Sequence, residues 1–271
     1  MSDLDLSSAA SAFVRAGSPD FGKTATDYAR HRAGFPPELF ERLASTFGIG
    51  LSGQRCLDLG TGTGTVARQL AQRGCAVTAL DIAEPQLHQA RILDIEAGVS
   101  VDYRVASAEE TGQPPSTFDV VTAGQCWHWF DPTRATAEAR RVLVPGGSLV
   151  ICSFDWLPLP GNVVEATEAL IVAHNPAWKL AGGLGMHPRF ARDVAIGGFT
   201  GIETFSFDLD VPYSHEAWRG RIRASAGVSA SLAPDAVTAF DKEHAAMLAL
   251  RFPAGPILAA HRVWALVAHA P

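Results

Sequence analysis

The sequence has few cysteines, and none lies in a pattern typical of a disulfide framework or a metal site. Cys56, Cys75, Cys126 and Cys152 form no C-x-x-C pair, and three of them lie inside apolar stretches. We interpret them as small buried side chains of a protein in a reducing compartment. No H-E-x-x-H or comparable spacing of ligands occurs, so we expect no bound metal.

Long apolar runs and basic clusters are lacking as well. No apolar stretch reaches the roughly 18 residues that suggest a membrane span. The first residues, MSDLD, have neither the basic segment nor the apolar core of a signal peptide. We therefore expect a cytoplasmic protein with no membrane partner. The 271 residues carry a net charge of −6 with no run of Lys or Arg, which argues against nucleic acid as a partner.

The most informative feature present is a glycine turn at residues 60–64, which follows a short apolar stretch and precedes a helical pattern. Gly60, Gly62 and Gly64 lack Cβ atoms, so the backbone can adopt positive φ and approach a ligand closely. The free N–H groups of the next helix then face that ligand. Asp81 follows Gly60 by 21 residues, at the end of a second apolar run. This spacing suits a carboxylate that binds a ribose diol, and it predicts a nucleoside-containing cofactor.

Strand and helix patterns alternate along the chain and predict an α/β fold. Predicted strands cover residues 54–59, 75–81, 100–106, 117–123, 147–153, 201–211 and 262–268. Predicted helices cover residues 36–47, 64–73, 84–97, 132–142, 163–173, 188–196, 215–226 and 234–249. Such alternation indicates a sheet that is parallel for most of its strands and covered on both faces.

Two kinds of nucleoside cofactor are compatible with the turn. A dinucleotide site prefers G-x-G-x-x-G, but the third glycine position holds Thr65. Asp58 stands two residues before the first glycine. A carboxylate there is unfavourable beside a pyrophosphate and favourable beside a positive amino group. These residues favour a nucleoside that carries an amino acid.

Several motifs in order resemble those of class I S-adenosylmethionine (SAM)-dependent methyltransferases of the small-molecule branch. The segments 57–64 (LDLGTGTG), 80–82 (LDI), 106–109 (ASAE), 118–131 (FDVVTAGQCWHWFD) and 141–147 (RVLVPGG) carry the resemblance, together with 28–32 (YARHR) and 35–39 (FPPEL). The resemblance covers residues 21–153 well and continues as topology. It implies a single methyltransferase domain over 1–271. That domain would have a Rossmann-like, doubly wound, seven-stranded sheet with one antiparallel strand, a SAM-binding core at about 21–153 and helical cap elements at about 154–200 and 212–250.

The resemblance also implies a set of cofactor-binding residues. These are Tyr28, Arg32, Asp58, Gly60, Thr61, Gly62, Gly64, Asp81, Ile82, Ser107, Ala108 and Gln125. The glycine turn would pass under the methionine part of SAM, Asp58 would hold its amino group, and Asp81 would accept both ribose hydroxyls. Ile82, Ser107 and Ala108 would border the adenine. Gln125 would lie close to the methyl group, and Tyr28 and Arg32 would close over the carboxylate.

Each role has a structural alternative. Asp58 could cap nearby N–H groups, and Asp81 could cap the helix that follows it. Tyr28 and Arg32 could form a solvated helix face, and Ser107 could be an ordinary turn residue.

The loop 126–130 (CWHWF) holds the candidate catalytic residues, Trp127, His128 and Trp129. Methyl transfer requires donor and acceptor to be aligned in a dry pocket. The indoles could attract a sulfonium or support the acceptor, and His128 could remove a proton from it. Core packing is the alternative for both tryptophans, and a structural hydrogen bond is the alternative for His128. The arginines of the segment 219–223 could bind a substrate carboxylate or be solvated.

These observations predict a SAM-dependent enzyme that methylates an O or N atom of a small organic molecule. Residues 123–129 differ from the Asp/Asn-Pro-Pro-Tyr/Phe motif of DNA amino-methyltransferases. The alternatives are a non-catalytic SAM-binding regulatory or interaction protein and a nicotinamide-dependent oxidoreductase. The acceptor, the methylated atom and the oligomeric state are left open by the sequence.

Overall fold

The computed structural model describes residues 34–271 of the chain. The helices are α1 (Pro37–Phe47), α2 (Thr65–Gln72), α3 (Glu84–Ala97), α4 (Pro132–Val142), α5 (Val163–His174), α6 (Pro188–Ile196), α7 (His215–Arg223) and α8 (Pro234–Arg251). The strands are β1 (Arg55–Leu59), β2 (Ala76–Asp81), β3 (Asp102–Val105), β4 (Phe118–Gly124), β5 (Leu143–Trp156), β6 (Thr200–Tyr213) and β7 (Ile257–His269). A 3₁₀ turn, Trp127–Trp129, follows β4. Within this range no helix combines the length and apolar character that crossing a bilayer requires.

The strands form one seven-stranded sheet in the order β3-β2-β1-β4-β5-β7-β6. Strands β1 to β5 pair in parallel, and β7 runs antiparallel to both β5 and β6. This arrangement confirms the predicted Rossmann-like class, with its single antiparallel strand. The order reverses between β1 and β4, so the helices that follow these two strands lie on opposite faces of the sheet and leave the crevice in which such sheets bind ligands.

The helix boundaries follow local signals that the sequence carries. Helix α4 begins at Pro132 because Asp131 accepts hydrogen bonds from the N–H groups of Thr133 and Arg134, at 3.1 and 3.2 Å. Helix α3 ends at Gly98, which adopts a left-handed φ of 66°. Both helices have the bounds that the sequence predicts. Capping residues act only on their sequence neighbours, so they can be identified from the sequence alone.

Several other elements differ in length from the prediction. Strand β5 begins at residue 143 rather than 147, β6 covers 200–213 rather than 201–211, and β7 begins at 257 rather than 262. Strand β3 is shorter, at 102–105, and α7 ends at 223 rather than 226. The long strands owe their extra residues to pairing, since β6 and β7 stay in register from Glu203 opposite Val267 to Tyr213 opposite Ile257. The alternation of apolar and polar residues within one segment does not show how long the strand that pairs with it is.

Three clusters of buried apolar side chains hold the layers together. One packs α1, α2 and α3 on one face of the sheet, and a second packs α4, α6 and the loop after β4 on the other face. The third lies among α5, α7, α8 and the ends of β6 and β7, with Trp218 and Phe240 fully buried in it. Strands β1 to β6 all have their carboxyl ends at the same edge of the sheet. The third cluster packs at that edge, so it lies on the same side of the sheet as the crevice.

Candidate active site

The glycine turn lies at the carboxyl end of β1 and is shaped by three left-handed glycines. Gly60, Gly62 and Gly64 have φ values of 58°, 56° and 77°. A Cβ on Gly60 would lie 2.9 Å from Cβ of Cys126, and one on Gly64 would lie 2.3 Å from the hydroxyl of Tyr103. At Gly62, by contrast, no described atom lies within 4 Å of that position. Among residues 34–271 the turn is therefore packed at both ends, and its middle borders open space.

Asp81 ends β2 and joins the glycine turn directly. Its Oδ2 accepts a hydrogen bond from the N–H of Gly62 at 2.8 Å, and its Oδ1 accepts one from the N–H of Ala83 at 2.9 Å. Burial raises the pKa of this carboxyl, and the backbone hydrogen bonds oppose that shift. The structure thus brings two of the predicted residues together. Asp81 does not cap α3, because Ala83 holds the N-cap position of that helix and no side chain makes a capping hydrogen bond there.

Asp58 lies in the interior, where its carboxylate is bonded to other side chains of the protein. Its side chain is fully buried, and its two oxygens accept hydrogen bonds from the hydroxyls of Thr61 and Thr122, each at 2.6 Å. Burial raises its pKa to about 6, although both hydroxyls act in the opposite direction. Asp58 ties β1, β4 and the glycine turn together, and its contact with a ligand amino group stays a prediction.

The segment after β3 lies next to the end of β2, where the predicted adenine border requires it. The N–H of Ala106 donates to the carbonyl of Asp81 at 3.2 Å. Ser107 and Ala108 are buried, and Ile82 is half-buried. Their contact with adenine stays a prediction. Tyr28 and Arg32 lie outside the described residues.

The three predicted catalytic residues form one 3₁₀ turn after β4 and differ in how deeply they are buried. Trp127 is 2% exposed, packs edge-on against Phe130 and donates from Nε1 to Asp193 of α6 at 3.3 Å. This placement matches the core-packing alternative for Trp127. His128 is exposed, with its ring centroid 4.6 Å from that of the half-buried Trp129. Catalytic roles for these residues stay predictions.

Gln125 follows β4 in a left-handed conformation, with a φ of 63°. This is uncommon for a residue with a side chain and points to a local constraint. The side chain turns towards β5, where Oε1 accepts from the N–H of Phe154 at 2.5 Å and Nε2 donates to Asp155. Gln125 therefore connects the end of β4, beside the crevice, with the end of β5.

Asp155 extends this network to His187, which lies within the predicted cap segment 154–200. Oδ2 of Asp155 lies 2.8 Å from Nε2 of His187, and each side chain is 26% exposed. The His187 ring stacks on Phe190 at 4.8 Å with an interplanar angle of 3°. An aspartate that accepts Nε2–H leaves Nδ1 of a neutral imidazole as a proton acceptor. No sequence signal joins Gln125, Asp155 and His187, because the residues are far apart in the chain.

The glycine turn also has a support that the sequence analysis missed. Arg68, on α2, donates to the carbonyl of Thr63 at 2.8 Å and to Asp94 of α3 at 2.7 Å. The position of this arginine, one turn into the helix that follows the glycine motif, could have indicated from the sequence that its side chain supports the turn.

These residues fit a bound SAM. Open space beside Gly62 and a half-buried Asp81 carboxylate at the next strand provide a surface for the nucleoside. Among residues 34–271 no cluster of three or more His, Cys, Asp or Glu side chains is arranged to hold a metal ion.

Comparison with known proteins agrees with this geometry. Residues 57–151 match the methyltransferase domain family. The chain is 38% identical over 111 residues to a ubiquinone biosynthesis O-methyltransferase of Pseudomonas aeruginosa, an alignment covering 40% of this chain and 48% of that protein. It therefore spans about half the length of that relative and of its close homologues.

Two further matches extend over more of the chain. A ubiquinone biosynthesis O-methyltransferase of Xanthomonas euvesicatoria is 30% identical over 177 residues, covering 65% of this chain and 72% of that protein. The structure of Haemonchus contortus phosphoethanolamine N-methyltransferase 2 in complex with SAM aligns with a TM-score of 0.56 at 20% identity, over 95% of this chain and 61% of that one. The latter likeness shows the fold. Together with the site, these matches show that the chain belongs to the class I SAM-dependent methyltransferases.

Proposed function

We propose that this protein transfers the methyl group of SAM to an oxygen or nitrogen atom of a small organic molecule. The observation that carries the proposal is the contact between Asp81 and the N–H of Gly62, which places a carboxylate and an open stretch of backbone at one crevice. Bound SAM supplies an electrophilic methyl carbon on a sulfonium. The residues of the chain bind the nucleoside, orient the acceptor and exclude water.

The names of the relatives and the charge of the chain support a small acceptor. Two of the matched proteins are described as ubiquinone biosynthesis O-methyltransferases, which favours an acceptor of low molecular weight. The net charge of −6 is unfavourable for nucleic acid. We also infer a cytoplasmic location, because the four cysteines are buried and free and would stay reduced there.

We assign the proton-accepting role to His187 ahead of His128. The Asp155 carboxylate fixes the orientation of the His187 ring, as a general base requires. Gln125 holds Asp155 from the strand whose end borders the crevice. His128 is more exposed than His187, and its described ring contact is with Trp129.

The proposal is tested with SAM carrying a labelled methyl group and a metabolite extract. We expect a labelled small molecule with the wild-type protein and none with Asp81→Ala, while Asp210→Ala, at an exposed position of β6, retains activity. Binding of SAM without any labelled product would support the regulatory alternative. Binding of NAD without binding of SAM would support the oxidoreductase.

The role of His187 is tested with the acceptor so identified. We expect His187→Gln to lower kcat by about 100-fold, while KM changes little. His128→Gln is the matched variant in the same site region. A larger loss of kcat in His128→Gln than in His187→Gln would transfer the role to His128.

A further inference from the structure

Helix α7 carries three arginines at every second position, and two of them are paired with carboxylates. Arg219 and Arg223 lie one turn apart on the same face, as residues separated by four do. Both donate to Oδ1 of Asp241 on α8, at 3.1 and 3.0 Å, and both also reach Glu216. These ion pairs fasten α7 to α8 and occupy both guanidinium groups.

Arg221, between them, faces the other side of the helix. Its guanidinium carbon lies 4.8 Å from the centroid of the Trp156 ring. The side chain is half-buried, and within residues 34–271 no carboxylate lies at salt-bridge distance from it. Burial lowers its pKa, while Tyr213 and Asp155 oppose that shift from a longer range. Arg221 is therefore a desolvated cation without a directly bonded anion in the described part of the chain.

The Trp156 indole, on which Arg221 stacks, is held in place by two contacts. Trp156 donates from Nε1 to Glu168 of α5 at 2.7 Å and packs edge-on against the fully buried Trp218, with ring centroids 5.9 Å apart. A guanidinium stacked on an indole keeps the edge that carries its N–H donors available to an oxyanion. The position of the charge is thus set by packing.

Arg221 stands on the same side of the sheet as the crevice. Trp156 ends β5 and Tyr213 ends β6, and both strands run antiparallel to β7, so these ends share one edge with Asp81. Asp155, which is bonded to Gln125 and His187, immediately precedes Trp156. The cation therefore lies next to the network to which we assign the proton-accepting role.

A cation removed from water without a partner is unfavourable, and a ligand anion relieves that cost. The planar fork of a guanidinium matches the two oxygens of a carboxylate. We propose that Arg221 binds a carboxylate group of the methyl acceptor, so that the substrate of this enzyme is a small organic acid. This inference rests on the proposed function and names the substrate class for it.

The test measures the binding of simple acids in the presence of S-adenosylhomocysteine. Benzoate, cinnamate and inorganic phosphate are titrated by calorimetry, with benzamide as the uncharged counterpart of benzoate. We expect at least one of the two carboxylates to bind at least about tenfold more tightly than benzamide or phosphate. Arg221→Met should reduce that affinity at least about tenfold, and Arg221→Lys should restore part of it.

Arg251→Met is the matched control, because Arg251 also stacks on an aromatic ring, Phe252 at 5.6 Å, but is exposed. It should leave acid binding unchanged. Failure of both carboxylates to bind, equal affinity for benzoate and benzamide, or wild-type affinity in a folded Arg221→Met would overturn the assignment. Tighter binding of phosphate would overturn it in favour of a phosphate ester. Calorimetry with S-adenosylhomocysteine alone reports on the proposed function, so the two failures are distinguishable.

Discussion

Replacing Asp58 with asparagine changes how the stability of the protein depends on pH. The Asp58 side chain is fully buried, and burial raises its pKa to about 6, from an ordinary value of 3.8. A folded protein with the higher pKa binds the proton more readily than the unfolded chain. Raising the pH through the window between these two values therefore destabilises the fold, and lowering it stabilises the fold.

The size of the effect follows from the two pKa values. Over the whole window the ionisation of Asp58 costs the folded state about 3 kcal/mol, and between about pH 4.5 and 7.5 it costs about 2 kcal/mol. Asparagine at this position cannot ionise, and it can still hydrogen-bond to Thr61 and Thr122 if one hydroxyl rotates. We expect the stability of Asp58→Asn relative to wild type to rise by about 2 kcal/mol between those pH values.

The assay is urea denaturation followed by circular dichroism, at both pH values and without cofactor. Asp210→Asn, at an exposed position of β6, is the matched control for the loss of one carboxylate. The difference in free energy of unfolding between Asp58→Asn and wild type should therefore change with pH. No change, or a change in the opposite sense, would show that burial does not dominate the pKa of Asp58.

Three further substitutions separate packing from ligand binding, each assessed by urea denaturation and by calorimetry with S-adenosylhomocysteine. Gly60→Ala should destabilise the fold by about 3 kcal/mol, because φ is 58° and the new Cβ would lie 2.9 Å from Cβ of Cys126; wild-type stability would contradict this. Gly62→Ala should cost only about 1 kcal/mol of stability but at least about tenfold in affinity, since its Cβ enters open space that the ligand needs; unchanged affinity would place the ligand elsewhere. Trp127→Phe should cost about 2 kcal/mol, since it removes the bond from the buried indole to Asp193, and leave affinity unchanged. Turnover of this variant is measured as well, and a loss of kcat without a loss of stability would instead support the predicted catalytic role.

The parts of the fold that the sequence predicts best are those with local causes. Helices α3 and α4 begin and end where the sequence indicates, because proline, a capping aspartate and a left-handed glycine act on their own neighbourhood. The ends of β5, β6 and β7 are set by one another through long antiparallel pairing. Periodicity within a single segment carries no information about such a partner, so those boundaries are predicted less well.

The same distinction applies to the candidate site. The glycine turn and Asp81 are predictable because a local motif and a fixed spacing identify them. The association of Gln125, Asp155 and His187 depends on how α6 packs beside the ends of β4 and β5. Which arginine of α7 lacks a bonded carboxylate among residues 34–271 depends on Asp241, which reaches Arg219 and Arg223 from another helix. Only tertiary structure supplies these relations.

A crystal structure of the protein grown with S-adenosylhomocysteine tests most directly whether the nucleoside binds at Asp81 and Gly62. We expect the ribose hydroxyls to lie within hydrogen-bonding distance of the Asp81 carboxylate and the ligand to contact the backbone at Gly62. A ligand bound elsewhere, with the Asp81 oxygens still engaged only by Gly62 and Ala83, would contradict it.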